Sequence, residues 1–188
     1  MKRADAATNL RRIRFWLAVF IAGLVLSGVT AFPLSSEVHW LDAALHTRPL
    51  QPFAASTGLV GWVGRVDDAL TTTNARYPFL AYGTDWLAFG HLMIALVFVG
   101  AWRDPVQNRW LVTFGLIACA CVIPLAMIAG AARGIPFGWR LIDCSFGVFG
   151  CIPLLLCRRC MNALERERVL AAAHAASQAE RDSCAVRN

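Results

Sequence analysis

The sequence predicts an all-α membrane protein, a four-transmembrane-helix bundle with amphipathic helices in its first outer loop and a helical C-terminal tail. The 188 residues are 57% hydrophobic and 16% charged, which makes the chain more apolar than an average soluble domain. Its mean hydropathy is +0.52. Four predominantly apolar stretches each approach the roughly 20 residues that an α-helix needs to cross a bilayer.

These stretches place the spans at about residues 15–34, 85–102, 110–132 and 137–157. The first is longer than the apolar region of a signal peptide and no small-residue cleavage site follows it, so we expect an uncleaved anchor. Residues 1–160 then form the transmembrane domain. Residues 161–188 are rich in Ala, Leu, Glu and Arg and contain no Gly or Pro, which predicts a cytoplasmic helical tail.

The basic residues predict the orientation, because the cytoplasmic flanks of membrane helices carry the excess of Lys and Arg. With the N-terminus inside, thirteen of the eighteen fall on the inner side: Lys2, Arg3, Arg11, Arg12, Arg14, Arg103, Arg109, Arg158, Arg159, Arg166, Arg168, Arg181 and Arg187. We therefore expect a bacterial inner-membrane protein with both termini in the cytoplasm. The arginines cluster beside apolar runs rather than along one polar face, so the expected partner is the lipid bilayer and not nucleic acid.

The outer loop, from about residue 35 to 84, has a helical hydrophobic pattern. Leu59, Trp62, Val63 and Val66 recur at helical spacing, and a shorter stretch from Val38 to Leu45 repeats the pattern. We expect two amphipathic helices that lie along the outer membrane surface or over the mouth of the bundle. Packing on the bundle and binding of lipid both explain such a pattern.

The cysteines predict no cofactor or metal site. None of the seven lies in the outer loop, where oxidising conditions would form disulfides. Cys157 and Cys160 have the spacing of a redox pair but lie on the predicted cytoplasmic side, where small-residue packing is the simpler explanation. The only lysine is Lys2, which excludes a retinal Schiff base within a span, and a bis-histidine haem would need a second subunit because only His91 lies in a span.

Two ionisable residues within the spans are the candidates for function, because such residues are costly in a membrane. His91 and Asp143 each lie about 9 Å along a helix that starts from the outer side, so the two side chains share a depth. Three charged residues near the outer helix ends can join them. The predicted cluster is Asp85, His91, Arg133, Arg140 and Asp143.

Two interpretations of this cluster stay open. In the first, Arg133 and Arg140 bind an anionic or polar group while His91 and Asp143 transfer a proton. In the second, Arg140 neutralises Asp143, and His91 bonds to the same carboxylate and fixes the packing of two helices.

The preferred function is a non-enzymatic binding, accessory or assembly module with a polar pocket on its outer side, which meets a membrane-protein partner or a second copy of itself. The alternative is a small membrane enzyme, or an oligomeric proton-coupled carrier, that acts on an amphipathic or lipid-linked substrate. No complete catalytic set, such as a nucleophile with its base or a group of metal ligands, can be specified from the sequence. The binding module is preferred for that reason, and enzymatic activity is left undecided.

Overall fold

The computed structural model describes the backbone of residues 2–47, 49 and 58–186, and the side chains within 6–47, 49 and 58–177. The described residues form six α-helices and one 3₁₀ turn at Pro78–Ala81, without a strand. The helices are α1 (Lys2–Ala31), α2 (Leu34–Leu45), α3 (Leu59–Arg76), α4 (Tyr82–Arg103), α5 (Arg109–Ala132) and α6 (Phe137–Val186). Four of them, α1, α4, α5 and α6, are long and apolar enough to cross a membrane. The predicted all-α class with four membrane-length helices is confirmed.

The first and last of these helices differ most from their predicted spans. α1 begins at Lys2, well before the predicted start at residue 15, because hydropathy marks only the apolar part of a helix. It ends at Ala31 rather than at 34, since the residue before Pro33 is disfavoured in a helix. α6 runs without a break from Phe137 into the tail, 50 residues in all.

Among the four long helices, α1 packs closely on both α4 and α6, and α6 also packs closely on α5; two of these helix pairs meet at a glycine. In the first pair α1 lies against α4, where a Cβ atom at Gly28 would stand 3.0 Å from the Ala88 carbonyl oxygen. In the second pair α5 lies against α6, where a Cβ atom at Gly147 would stand 2.5 Å from the Cys119 carbonyl oxygen. Small residues at these positions let the helix backbones approach closely, as is usual in membrane bundles.

One apolar core joins the two pairs. It contains buried residues of all four long helices: Ile13, Leu17, Phe98, Ala101, Leu111, Val112, Cys119, Leu154, Cys157, Met161 and Leu164. α1 packs on α6 along this core, and Phe98 of α4 reaches Gly115 of α5. Most of these residues lie towards the end of the bundle that carries the first turns of α1 and the tail of α6. We call this the terminal end and the opposite one the loop end.

The outward faces of the long helices are apolar. Large hydrophobic side chains stand exposed on each of them, including Leu26 of α1, Leu96 of α4, Ile128 of α5 and Phe149 of α6. Side chains of this kind are stable against lipid and costly in water. The surface of the bundle is therefore suited to a membrane.

At the loop end, α2 and α3 pack against each other as a helical hairpin. Among the described side chains of this hairpin, only Val63 is fully buried. The two helices are also joined by polar contacts: Asn74 donates to the Ser35 hydroxyl at 2.6 Å, and His39 lies 3.1 Å from the Asp67 carboxylate. The 3₁₀ turn Pro78–Ala81 contacts both α3 and α4 and leads the chain back into the bundle.

Candidate functional site

Two of the five predicted site residues lie on α4. Asp85 is half-buried in the first turn of the helix, where a negative charge is favoured by the helix dipole. His91 is half-buried one to two turns further along, and its Nδ1 atom lies 2.8 Å from the Leu87 carbonyl oxygen of its own helix. The imidazole is thus already partnered by the α4 backbone.

The two arginines lie at the corner between α5 and α6. Arg133 is the exposed residue at the C-terminal end of α5, just before Gly134, whose φ of +69° lets the chain reverse there. The Ile135 amide donates to Gly130 and the Gly134 amide to Ala131, the two bonds of a Schellman motif. This corner brings Arg133 and Arg140 to the same side of the bundle.

Arg140 is packed into this corner. Its aliphatic part lies against Gly130 of α5, its Nη1 donates to the Met127 carbonyl oxygen at 3.3 Å, and its guanidinium lies 5.4 Å from the Phe137 ring centroid. The positive charge therefore lies near the C-terminal end of α5, where the helix dipole favours a cation. Its Nε atom is buried and unpartnered among the described residues.

Asp143 lies one turn along α6 from Arg140 and is half-buried. Within the described part of the chain, no hydrogen bond or ion pair joins it to Arg140 or to His91. α4 packs mainly on α1, whereas α6 packs on α1 and α5. The structure therefore groups Arg133, Arg140 and Asp143 on one helix pair, and Asp85 and His91 on the other.

The loop end also contains a pocket that the sequence analysis did not predict. Its volume is about 340 Å³, and it lies where α1 turns into α2, beside the last turns of α3 and the first turn of α4. The described lining residues are Phe32, Pro33, Leu34, Ser35, Ser36, Leu70, Thr73, Asn74, Leu80, Ala81 and Thr84. The lining thus combines apolar walls with hydroxyl and amide groups and, among the described residues, no ionisable side chain.

The polar groups of this loop-end pocket differ in whether they already form hydrogen bonds within the chain. Ser35 accepts the hydrogen bond from Asn74, and the Thr84 hydroxyl donates to the Ala81 carbonyl oxygen at 2.6 Å. The hydroxyls of Ser36 and Thr73 have no partner among the described residues. Since a hydroxyl both donates and accepts hydrogen bonds, each of these two can donate a hydrogen bond to a ligand or accept one from it.

Sequence reasoning missed the pocket because its residues come from four separate segments. None of them carries a charge, so none stands out in a span as His91 and Asp143 do. The available signal was the position of these residues in the sequence: Ser35, Ser36, Thr73, Asn74 and Thr84 all lie near the ends of helices. Only the packing of α2 on α3 brings these ends together.

Comparison of the chain with protein-family models, with curated proteins and with solved structures finds no match. In the part of the chain that the structure describes, no three His, Cys, Asp or Glu side chains are grouped so as to hold a metal ion. Cys119 and Cys151 contact each other between α5 and α6, within the membrane-length segments.

Proposed function

We propose that the chain is a non-enzymatic binding module of the bacterial inner membrane, and that it holds the uncharged polar end of an amphipathic molecule at the outer surface. The loop-end pocket is the single observation that carries this proposal. It lies beside the outer ends of α1 and α4 in the proposed orientation, which has both termini in the cytoplasm. The excess of arginine at the terminal end supports that orientation.

The lining of the pocket supports an uncharged ligand. Hydroxyl and amide groups form its polar part, and a charged headgroup placed there would lose water without gaining an opposite charge. The apolar part of the lining suits the first chain carbons of a lipid. Neutral hydroxyl and carbonyl groups, such as those of an acylglycerol or a sugar, therefore fit best.

The size of the pocket indicates that only part of the ligand enters it. A volume of about 340 Å³ is near the lower limit of ligand pockets, which is roughly 300 Å³. A headgroup fits such a volume, but a whole lipid does not. Phe32 and Leu80, which line the pocket, are also half-exposed, so an attached acyl chain can pass them and continue along the apolar surface of the bundle.

Photo-crosslinking tests this proposal. The probe is a monoacylglycerol with a diazirine in its acyl chain, added to the full chain in nanodiscs and mapped by peptide mass spectrometry. We expect labelling of peptides that contain residues 32–36 and 78–84. Thr73→Phe, which fills the pocket, should lower this labelling about tenfold, since most of the pocket's contacts are lost.

Thr72→Phe is the matched control because Thr72 is exposed and does not line the pocket. It should leave the labelling at the level of the unmodified protein. Both variants are first compared for thermal unfolding, so that misfolding is recognised. Equal labelling along all four long helices, or equal labelling of the two variants, would contradict the proposal.

The ionisable residues within the spans favour a second candidate, a small membrane enzyme or an oligomeric proton-coupled carrier. Asp143 carries a carboxyl group within α6 and has no partner among the described residues. A group of this kind within a membrane is a candidate for proton transfer. His91, at a similar depth on α4, would be its proton-transfer partner after a rearrangement of the helix pairs.

This candidate predicts that His91→Ala and Asp143→Asn leave expression and thermal stability nearly unchanged. Each should abolish proton uptake by proteoliposomes loaded with a pH-sensitive dye, because each removes a protonatable group. Leu87→Ala, an apolar change one turn from His91, is the control and should retain uptake. If proteoliposomes that contain the unmodified protein take up no more protons than empty liposomes, the carrier function is rejected.

A further inference from the structure

Two arginines from different helices meet at the terminal end. Arg14 of α1 donates from Nη2 to the carbonyl oxygen of Arg103, the last residue of α4, at 3.4 Å. The guanidinium carbon of Arg14 also lies 5.7 Å from the ring centroid of Trp102. The backbone of α4 and the indole therefore hold the Arg14 guanidinium in place, and one contact to a carbonyl oxygen leaves most of its N–H groups available.

A third arginine extends this positive surface. Arg11 lies three residues before Arg14 on α1, a spacing that puts two side chains on the same helix face. Arg11, Arg14 and Arg103 are all exposed, and none forms an ion pair among the described residues. We call these three residues, with Trp102, the Arg14 cluster.

The neighbouring groups do not neutralise the cluster. The closest acidic residue in sequence is Asp104. Its Oδ1 atom accepts hydrogen bonds from the backbone amides of Val106 and Gln107, with N–O distances of 3.2 and 3.1 Å. By contrast, Arg109 at the same end is paired with Glu165 and Asn162 of α6. None of the three arginines is ion-paired within the described part of the chain, and with Asp104 beside them the Arg14 cluster keeps a net positive charge, whereas Arg109 is paired.

The cluster also lies at the border of an apolar surface. Phe15 is 59% exposed next to Arg14, and Trp102 is 40% exposed next to Arg103. Exposed aromatic residues beside arginines are typical of the membrane interface, the depth at which phospholipid phosphates lie. A guanidinium binds a phosphate through paired N–H donors, and stacking on Trp102 orients the Arg14 donors.

We propose that the Arg14 cluster binds the phosphate of an anionic phospholipid in the leaflet at the terminal end. Its acyl chains would lie against Phe15 and Trp102. This inference does not rest on the loop-end pocket, which lies at the opposite end of the bundle and has an uncharged lining.

Native mass spectrometry of the full chain, released from mixed micelles with phosphatidylglycerol and phosphatidylcholine at equal concentration, tests the proposal. The unmodified protein should retain phosphatidylglycerol and little phosphatidylcholine. Arg14→Gln combined with Arg103→Gln should weaken phosphatidylglycerol binding about tenfold or more. Arg158→Gln combined with Arg159→Gln removes the same charge from two exposed arginines on α6 and should weaken it less than twofold.

Three outcomes would overturn the proposal. Equal losses in the two double variants would mean that only the overall positive charge attracts the lipid. Equal retention of both lipids by the unmodified protein would mean that the phosphate charge is not recognised. Competition by millimolar inorganic phosphate, strong enough to release the lipid, would assign the cluster to free phosphate instead.

Two further variants keep the test decisive if Arg14→Gln disturbs the fold. Arg11→Gln combined with Arg103→Gln leaves the bond from Arg14 to the Arg103 backbone intact and should still weaken binding about fivefold. Arg14→Lys keeps the charge but loses the planar donor pair, so it should weaken binding, though less than that double variant does. Undiminished binding in both variants would reject the proposed role of the cluster.

Discussion

At Gly147 the backbone of α6 runs directly against the backbone of α5. A methyl group at this position would meet the Cys119 carbonyl oxygen at 2.5 Å and the Cβ atom of Val122 at 3.3 Å. The carbonyl belongs to a helix backbone and cannot rotate away as a flexible side chain would. The two helices would therefore have to separate to admit any larger residue.

We expect Gly147→Ala to lower the free energy of unfolding by about 1–3 kcal/mol, the usual cost of overpacking. Gly23→Ala is the matched control, because a Cβ atom at Gly23 has no neighbour within 4 Å. It should be neutral or stabilising by up to about 1 kcal/mol, since Ala favours a helix over Gly. Thermal unfolding in one detergent measures both, and an unchanged Gly147→Ala variant would contradict the close approach.

The sequence was sufficient to predict where the site residues lie along their helices, but not which groups their side chains contact. The distance of His91 along its helix follows from its residue number, but the direction of its side chain depends on which neighbour α4 packs against. Hydropathy does not specify that neighbour. In the structure α4 packs on α1, and the His91 ring bonds to its own helix at Leu87 rather than to α6.

Among the elements, α6 departs most from a simple membrane span. The sequence predicts a span to about residue 157 and a helical tail able to continue it, and the helix is continuous through both. Beyond residue 157 the helix still contributes to the core, because Met161 and Leu164 are buried. Glu165 holds Arg109 of α5, and Glu167 accepts a hydrogen bond from Asn9 of α1.

Truncation of α6 separates these two parts. A chain that ends after residue 170 keeps all the contacts just named and should unfold within a few degrees of the full chain. A chain that ends after residue 159 loses two buried apolar side chains, at about 2–5 kcal/mol each, and should unfold at a much lower temperature. Differential scanning fluorimetry compares them, and similar instability of both would show that the more distal residues stabilise the bundle.

At the scale of the whole molecule, composition and span lengths were sufficient to predict the all-α class and the four membrane-length helices. The arrangement of helices was not predictable, because apolar helices present similar surfaces to one another and to lipid. Gly28 and Gly147 allow the close approach of α1 to α4 and of α6 to α5, whereas α1 and α6 pack on each other through the apolar core. The loop-end pocket was missed for a related reason, because hydropathy does not specify the packing of α2 on α3 that brings its lining together.

The orientation of the whole molecule gives a direct prediction. In a background without native cysteines, Thr72→Cys on the exposed face of α3 should react with a membrane-impermeant maleimide in intact spheroplasts. Ala171→Cys on the exposed part of α6 should react only after permeabilisation. The reverse pattern would place both termini outside and contradict the orientation that the arginines indicate.

The continuity of α6 has a mechanical consequence. From Leu164, the last buried residue among the side chains that the structure describes, to Val186 the helix extends about 33 Å at 1.5 Å per residue. A tilt of only about 10° in the span would therefore sweep the far tip through about 6 Å, if the helix stays straight. Small changes in the tilt of the span therefore produce larger displacements at the end of the tail, and a fluorophore attached there would report them.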